Sequence, residues 1–159
     1  MPDRLTPPHP TFLLLSLKKH QNFFEDSTKL YIFAPETAIV MATKDEVNGF
    51  LAQFHTKAKV FGITYFGGRE KNMNTLAELG ITAKFRDYIV KQLSTEDFYK
   101  GPEPNVQNNL GDMWVFGKTI NSKDVYIKIT LGLTNSSAVC MSFHIAERPI
   151  TYPFKEHNV

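Results

Sequence analysis

The sequence predicts a single α+β domain, with N-terminal helices packed on a C-terminal antiparallel sheet. Over residues 47–57 and 73–93 apolar side chains recur at helical spacing, and beyond Lys100 the pattern changes to alternation in three strand-length runs joined by turn-rich connectors. Size agrees: 159 residues, 42% hydrophobic, with thirteen Phe and six Tyr, suffice for one compact core and not for two.

Residues 1–10 carry Pro2, Pro7, Pro8 and Pro10, whose fixed φ and missing donors favour an extended lead-in. Phe12, Leu15, Phe23 and Phe24 predict a short helix within 11–24, and "LYIFA" at 30–34, closed by Pro35, reads as an edge strand. Residues 1–42 are therefore an N-terminal extension and 43–159 the folded domain. Thr43 with Glu46 makes a capping box, and Val47, Phe50, Leu51 and Phe54 then share one face of a helix reaching about Lys57. "KVFGITYF" at 59–66 predicts a strand stopped by Gly67 and Gly68. In "EKNMNTLAELG", Met73, Leu76, Ala77 and Leu79 form an apolar stripe and Gly80 supplies a left-handed cap. Thr82 caps a third helix, whose inner face is Phe85, Tyr88, Ile89 and Leu93. Ser94 and Asp97 begin one further short turn, "STEDFYK", before the turn chemistry of Gly101, Pro102 and Pro104. Strands over 113–119, 125–131 and 138–143, separated by "INSKD" and "LTNSS", complete an antiparallel sheet.

The composition narrows the class. One cysteine, Cys140, within an apolar run excludes an internal disulfide and points to a reducing compartment. The apolar stretch 11–17 is too short to span a membrane and lacks a small-residue cleavage site, so the expectation is a cytoplasmic protein without membrane contact. A formal charge of +2 suits a phosphate-bearing partner but is no dedicated nucleic-acid arm.

His9, His20, His55, His144 and His157 are scattered, no paired-cysteine or paired-histidine spacing occurs, and "FGGREK" lacks the full spacing of a phosphate loop. Neither metal nor cofactor is expected. What alternation collects is cationic and phenolic: Tyr126 and Lys128 share a face of one strand, Ser142 and His144 a face of the next. If the two faces coincide, a concave surface carries Tyr126, Lys128 and His144, approached by Lys100 from the helical side. Such a set supports RNA cleavage without metal. A base takes the ribose 2′-hydroxyl proton, an acid serves the leaving 5′-oxygen, and cations offset the developing charge. Each residue also has an ordinary reading: Tyr126 and Lys128 as a solvated sheet face, His144 as a strand-end residue, Lys100 as a dipole-favoured lysine.

The pieces "TLAELGI", "STEDFYK", "MWVFGKTI", "VYIKIT" and "SFH", in this order over residues 72–144, resemble the MqsR family of toxin–antitoxin toxins, mRNA endonucleases similar in fold to RelE and barnase-like ribonucleases. The resemblance implies a RelE-like small ribonuclease architecture, an mRNA substrate, a cognate antitoxin protein and no cofactor. It places the family's catalytic lysine on Lys100 and its tyrosine on Tyr126. The lysine that follows "SF" in the family falls on His144, and the family's glutamine falls on Val115, which has no polar function. The expected catalytic residues are Lys100, Tyr126 and His144, with Lys128 and Arg148 contacting substrate; Lys155 is a further source of charge. The alternative is a catalytically weakened RNA- or protein-binding module on the same fold. In a third reading the first 42 residues are a built-in inhibitor.

Overall fold

The computed structural model describes residues 31–32, 39–66, 70–106 and 109–155. Among these, the chain runs β1 (Tyr31–Ile32), β2 (Ile39–Val40), α1 (Lys44–Phe61), β3 (Ile63–Tyr65), α2 (Glu70–Leu79) and α3 (Ala83–Lys91). A 3-10 turn (Thr95–Asp97) leads into β4 (Phe98–Glu103), β5 (Met113–Ile120), β6 (Lys123–Thr130) and β7 (Ala138–Ile145). The helix expected within 11–24 and the glycine pair 67–68 lie outside the described residues. Tyr31–Ile32, inside the predicted 30–34 strand, pairs with Ile39–Val40 in a separate two-stranded sheet.

The fold is α+β, but the main sheet is mixed rather than antiparallel, with five strands in the order β3-β7-β6-β5-β4. β3 runs parallel to β7, Ile63 opposite Ala138 and Tyr65 opposite Cys140. No local turn signal announces a partner so distant in sequence. The helices do not all precede the sheet either, since β3 separates α1 from α2.

α1 begins on both halves of its capping box: the Glu46 N–H donates to Thr43 Oγ1 (3.2 Å) and the Thr43 N–H to Glu46 Oε2 (2.8 Å). It buries Val47, Phe50, Leu51, Phe54 and Ala58. The helix continues to Phe61, so residues 59–61 are not strand. Ala58 extends the buried row one turn past Phe54, Val60 and Phe61 fall on the solvent side, and Gly62 at φ 77° ends the helix. Burial of the row outweighs the β propensity of two exposed residues.

α2 ends on Gly80 at φ 64°, with the Ile81 N–H donating to the Leu76 carbonyl and the Gly80 N–H to the Ala77 carbonyl. This is the double bond of a Schellman cap. Thr75 and Leu79 are buried and Leu76 half-buried, while Ala77 of the predicted stripe is exposed. The Met73 side chain lies outside the described set. Asn72 stands in where β3 stops: its Oδ1 accepts from the Phe143 N–H (3.2 Å), and its amide donates to the Phe66 and Met141 carbonyls. A side-chain amide thus satisfies the open edge of β7.

On α3, Thr82 caps through the Phe85 N–H, but the inward face is rotated from the prediction. Ile89 and Val90 are buried, and Leu93 beyond the helix closes the row. Phe85 and Tyr88 are 45% and 59% exposed and stack on each other at 6.0 Å. Arg86 accounts for the rotation, its guanidinium lying 3.6 Å over the Tyr65 ring and needing a site against β3.

The segment that reads as turn in the sequence is the strand β4. Phe98 pairs with Phe116, Lys100 with Val115 and Glu103 with Met113, with register shifts between. An edge strand tolerates Pro102, whose missing donor no partner needs. The β5–β6 connection is a two-residue hairpin with Asn121 and Ser122 at φ 47° and 63°. Its tip is tied to the end of α2, Asn121 Nδ2 donating to the Leu79 carbonyl at 2.8 Å.

The core lies between the helices and one sheet face. Phe50 stacks on Trp114 at 4.6 Å, and Phe54, Phe98, Phe116, Ile127 and Ile129 are closed to solvent. Each such side chain contributes about 1.5–3 kcal/mol on burial. The core takes in Ala42, whose N–H donates to the Gly101 carbonyl.

Candidate active site

Alternation on β6 sends Val125, Ile127 and Ile129 into the core and Tyr126 and Lys128 to the other face. Register places Tyr126 opposite His144 of β7 and Lys128 opposite Ser142. Toward the other edge Lys128 is opposite Val115 of β5, which is opposite Lys100 of β4. The strand faces coincide, and Lys100, Tyr126, Lys128 and His144 line one open cleft of about 370 Å³, joined by Arg148 from the segment after β7. All five predicted residues therefore meet. One expectation needs correction: Lys100 arrives from the edge strand β4, not from the helical side, because "FYK" extends into the sheet. Lys155 does not line the cleft; its ammonium sits 5.1 Å over the Tyr152 ring.

Within the cleft the Tyr126 and His144 rings stack, centroids 5.1 Å apart and planes 16° from parallel. Tyr99 meets Tyr126 edge-on at 6.5 Å. His144 Nδ1 lies 2.9 Å from the Ile145 carbonyl oxygen. A carbonyl only accepts, so this assigns the hydrogen to Nδ1 and leaves the Nε2 lone pair of the neutral ring as a base.

The lysines are held by a residue the sequence reading missed. Glu103 Oε1 lies 2.7 Å from Lys100 Nζ, and its Oε2 2.9 Å from Lys128 Nζ. Burial alone would push the Glu103 carboxyl up, but the hydrogen bonds from the two lysines hold it below the usual carboxylate range. The Lys100 ammonium is raised above its ordinary value, chiefly by its hydrogen bond to Glu103, against partial burial. Three residues apart, Lys100 and Glu103 would point to opposite faces of a regular strand; the register shift between them brings their side chains together, and no spacing rule in the sequence announces it.

Val115, where the resemblance expects glutamine, is fully buried between the two lysine positions. The far wall is the chain after β7. Gly117 on β5 leaves room for it, since a Cβ there would approach Ile150 Cγ2 at 2.7 Å and Tyr152 OH at 2.9 Å. Cys140 points into the core and takes no part; burial pushes its thiol up to about 12. Among the described residues no group of three His, Cys, Asp or Glu is placed to hold a metal, and no helix is long and apolar enough to cross a membrane. Two larger hollows beside α1 bring no imidazole or phenol together with a cation.

Comparison of the chain with protein-family models, curated proteins and solved structures finds no match.

Proposed function

We propose that the protein is a metal-independent endoribonuclease, the toxin of a type II toxin–antitoxin pair with RelE-like architecture, acting on mRNA in the cytoplasm. The observation that carries the reading is the convergence of an imidazole, a phenol and two lysines from three strands on one cleft. His144 Nε2 takes the 2′-hydroxyl proton as the 2′-oxygen attacks phosphorus. The P–O5′ bond breaks, and the leaving oxygen is protonated by the Tyr126 phenol or by water, giving a 2′,3′-cyclic phosphate and a 5′-hydroxyl. Lys100 and Lys128 offset charge on the phosphate, and Arg148 at the open rim meets a neighbouring one.

The test is cleavage of single-stranded RNA in the presence of EDTA with analysis of product ends. His144→Ala and Lys100→Ala should each lower turnover by about 100-fold or more. Absence of chelator-resistant cleavage by the wild type, or normal cleavage by both variants, would end this reading. A second reading, a binding module without catalysis, is favoured by the apolar Val115 on the floor. Expression in bacteria separates the two, because a toxin arrests growth and Lys100→Ala relieves the arrest. A passive binder does neither.

A further inference from the structure

We propose that Glu103 is a positioning residue that makes Lys100 and Lys128 a paired clamp for one phosphate; the proposal rests on the ribonuclease reading. The two lysines stand two strands apart, on β4 and β6, with Val115 of β5 between them. Strand spacing puts their backbones roughly 10 Å apart. Two ammonium groups at that separation repel and spread, and the Val115 side chain beneath them offers no polar group to gather them. The Glu103 carboxylate gathers them, one lysine on each oxygen. An ammonium has three N–H donors, so each lysine keeps two for a substrate oxygen, and the trio retains a net positive charge. The inner arm is Lys128, with its side chain 19% exposed, and the outer arm is Lys100 at 43%. Held in place beforehand, the pair loses less freedom when charge develops on the phosphate. Glu103 does not itself line the cleft and moves no proton; it acts through the lysines.

A carboxylate between two cations has an opposite possible role, a mask occupying the place of the substrate anion, and the two roles give opposite results. Wild type, Glu103→Gln and Glu103→Asp are compared on three readouts. These are turnover of single-stranded RNA, affinity for a random-sequence 2′-O-methyl oligonucleotide that cannot be cleaved, and acetylation rates of individual lysines by mass spectrometry. Glutamine should lower kcat by about tenfold to a hundredfold. It should leave oligonucleotide affinity unchanged or tighter, since one negative charge is gone, and speed acetylation of Lys100 and Lys128 relative to the exposed Lys59. Aspartate should restore part of kcat. An active wild type with unchanged or raised kcat in Glu103→Gln overturns the proposal, as does unchanged acetylation at both lysines. If the wild type turns over no RNA, the ribonuclease reading falls by itself and the clamp is judged by binding. Weaker oligonucleotide binding by Lys100→Ala and Lys128→Ala then supports it, and unchanged binding overturns it.

Discussion

On β6, Val125, Ile127 and Ile129 turn to the helices and are shut from solvent, whereas Tyr126 and Lys128, interleaved with them, turn to the cleft and stay partly wet. The core face is held by area. Its side chains touch Phe54, Phe98 and Phe116 in one cluster, and any apolar residue of similar volume would serve there. The cleft face is held by specific contacts: a ring stack between Tyr126 and His144 and a carboxylate shared by two lysines. A change of volume therefore hurts one face and a change of charge the other.

The sharpest way to break that comparison is a truncation on the core face. Ile127→Ala should cost about 2–5 kcal/mol through lost burial and the cavity left behind, read as a lower urea midpoint with unchanged slope. A loss below about 1 kcal/mol would mean the helices do not seal this face. The cleft face responds to pH instead. The lowered Glu103 carboxyl gives stability that is complete above the ordinary carboxylate range and is lost as pH falls through its folded value. The raised Lys100 ammonium gives stability complete below the ordinary lysine range and lost as pH rises through its folded value. The tie is thus intact at neutral pH and opens in acid. Solvent screening keeps it below about 1 kcal/mol. The urea midpoints of wild type and Glu103→Gln should differ at pH 7 and converge once the pH falls below the lowered Glu103 carboxyl; a gap that persists through acid titration would remove the ion pair as its cause. The smallest effect belongs to neither face. Ser122 sits at φ 63° in the hairpin tip, and Ser122→Gly should stabilise by up to about 1 kcal/mol with cleavage unchanged. A destabilised variant would show that the hydroxyl matters more than the backbone.

Much of this was legible locally. Thr43 and Glu46, Thr82, Gly80 and the "INSKD" turn are where short-range chemistry placed them, because caps and turns are satisfied by residues three or four apart. Tyr126, Lys128 and His144 could be put on strand faces from alternation alone. Three readings went wrong for one reason. Lys59–Phe61 looked like strand, Phe85 and Tyr88 like an inner face, and "FYKGPE" like a turn, and in each case a distant partner overrode local preference. The sheet core that buries Ala58, the Tyr65 ring beneath Arg86, and β5 beside β4 are those partners.

By itself the sequence determined an α+β chain with helix ends at capping residues and a cationic, phenolic face on β6, since those properties depend on neighbours along the chain. Only the tertiary structure decided that β3 joins β7 in parallel and that Lys100 and Glu103 arrive from an edge strand beside Lys128. Strand order is set by which distant segments bury area together, and that is a property of the packed sheet rather than of any window of residues.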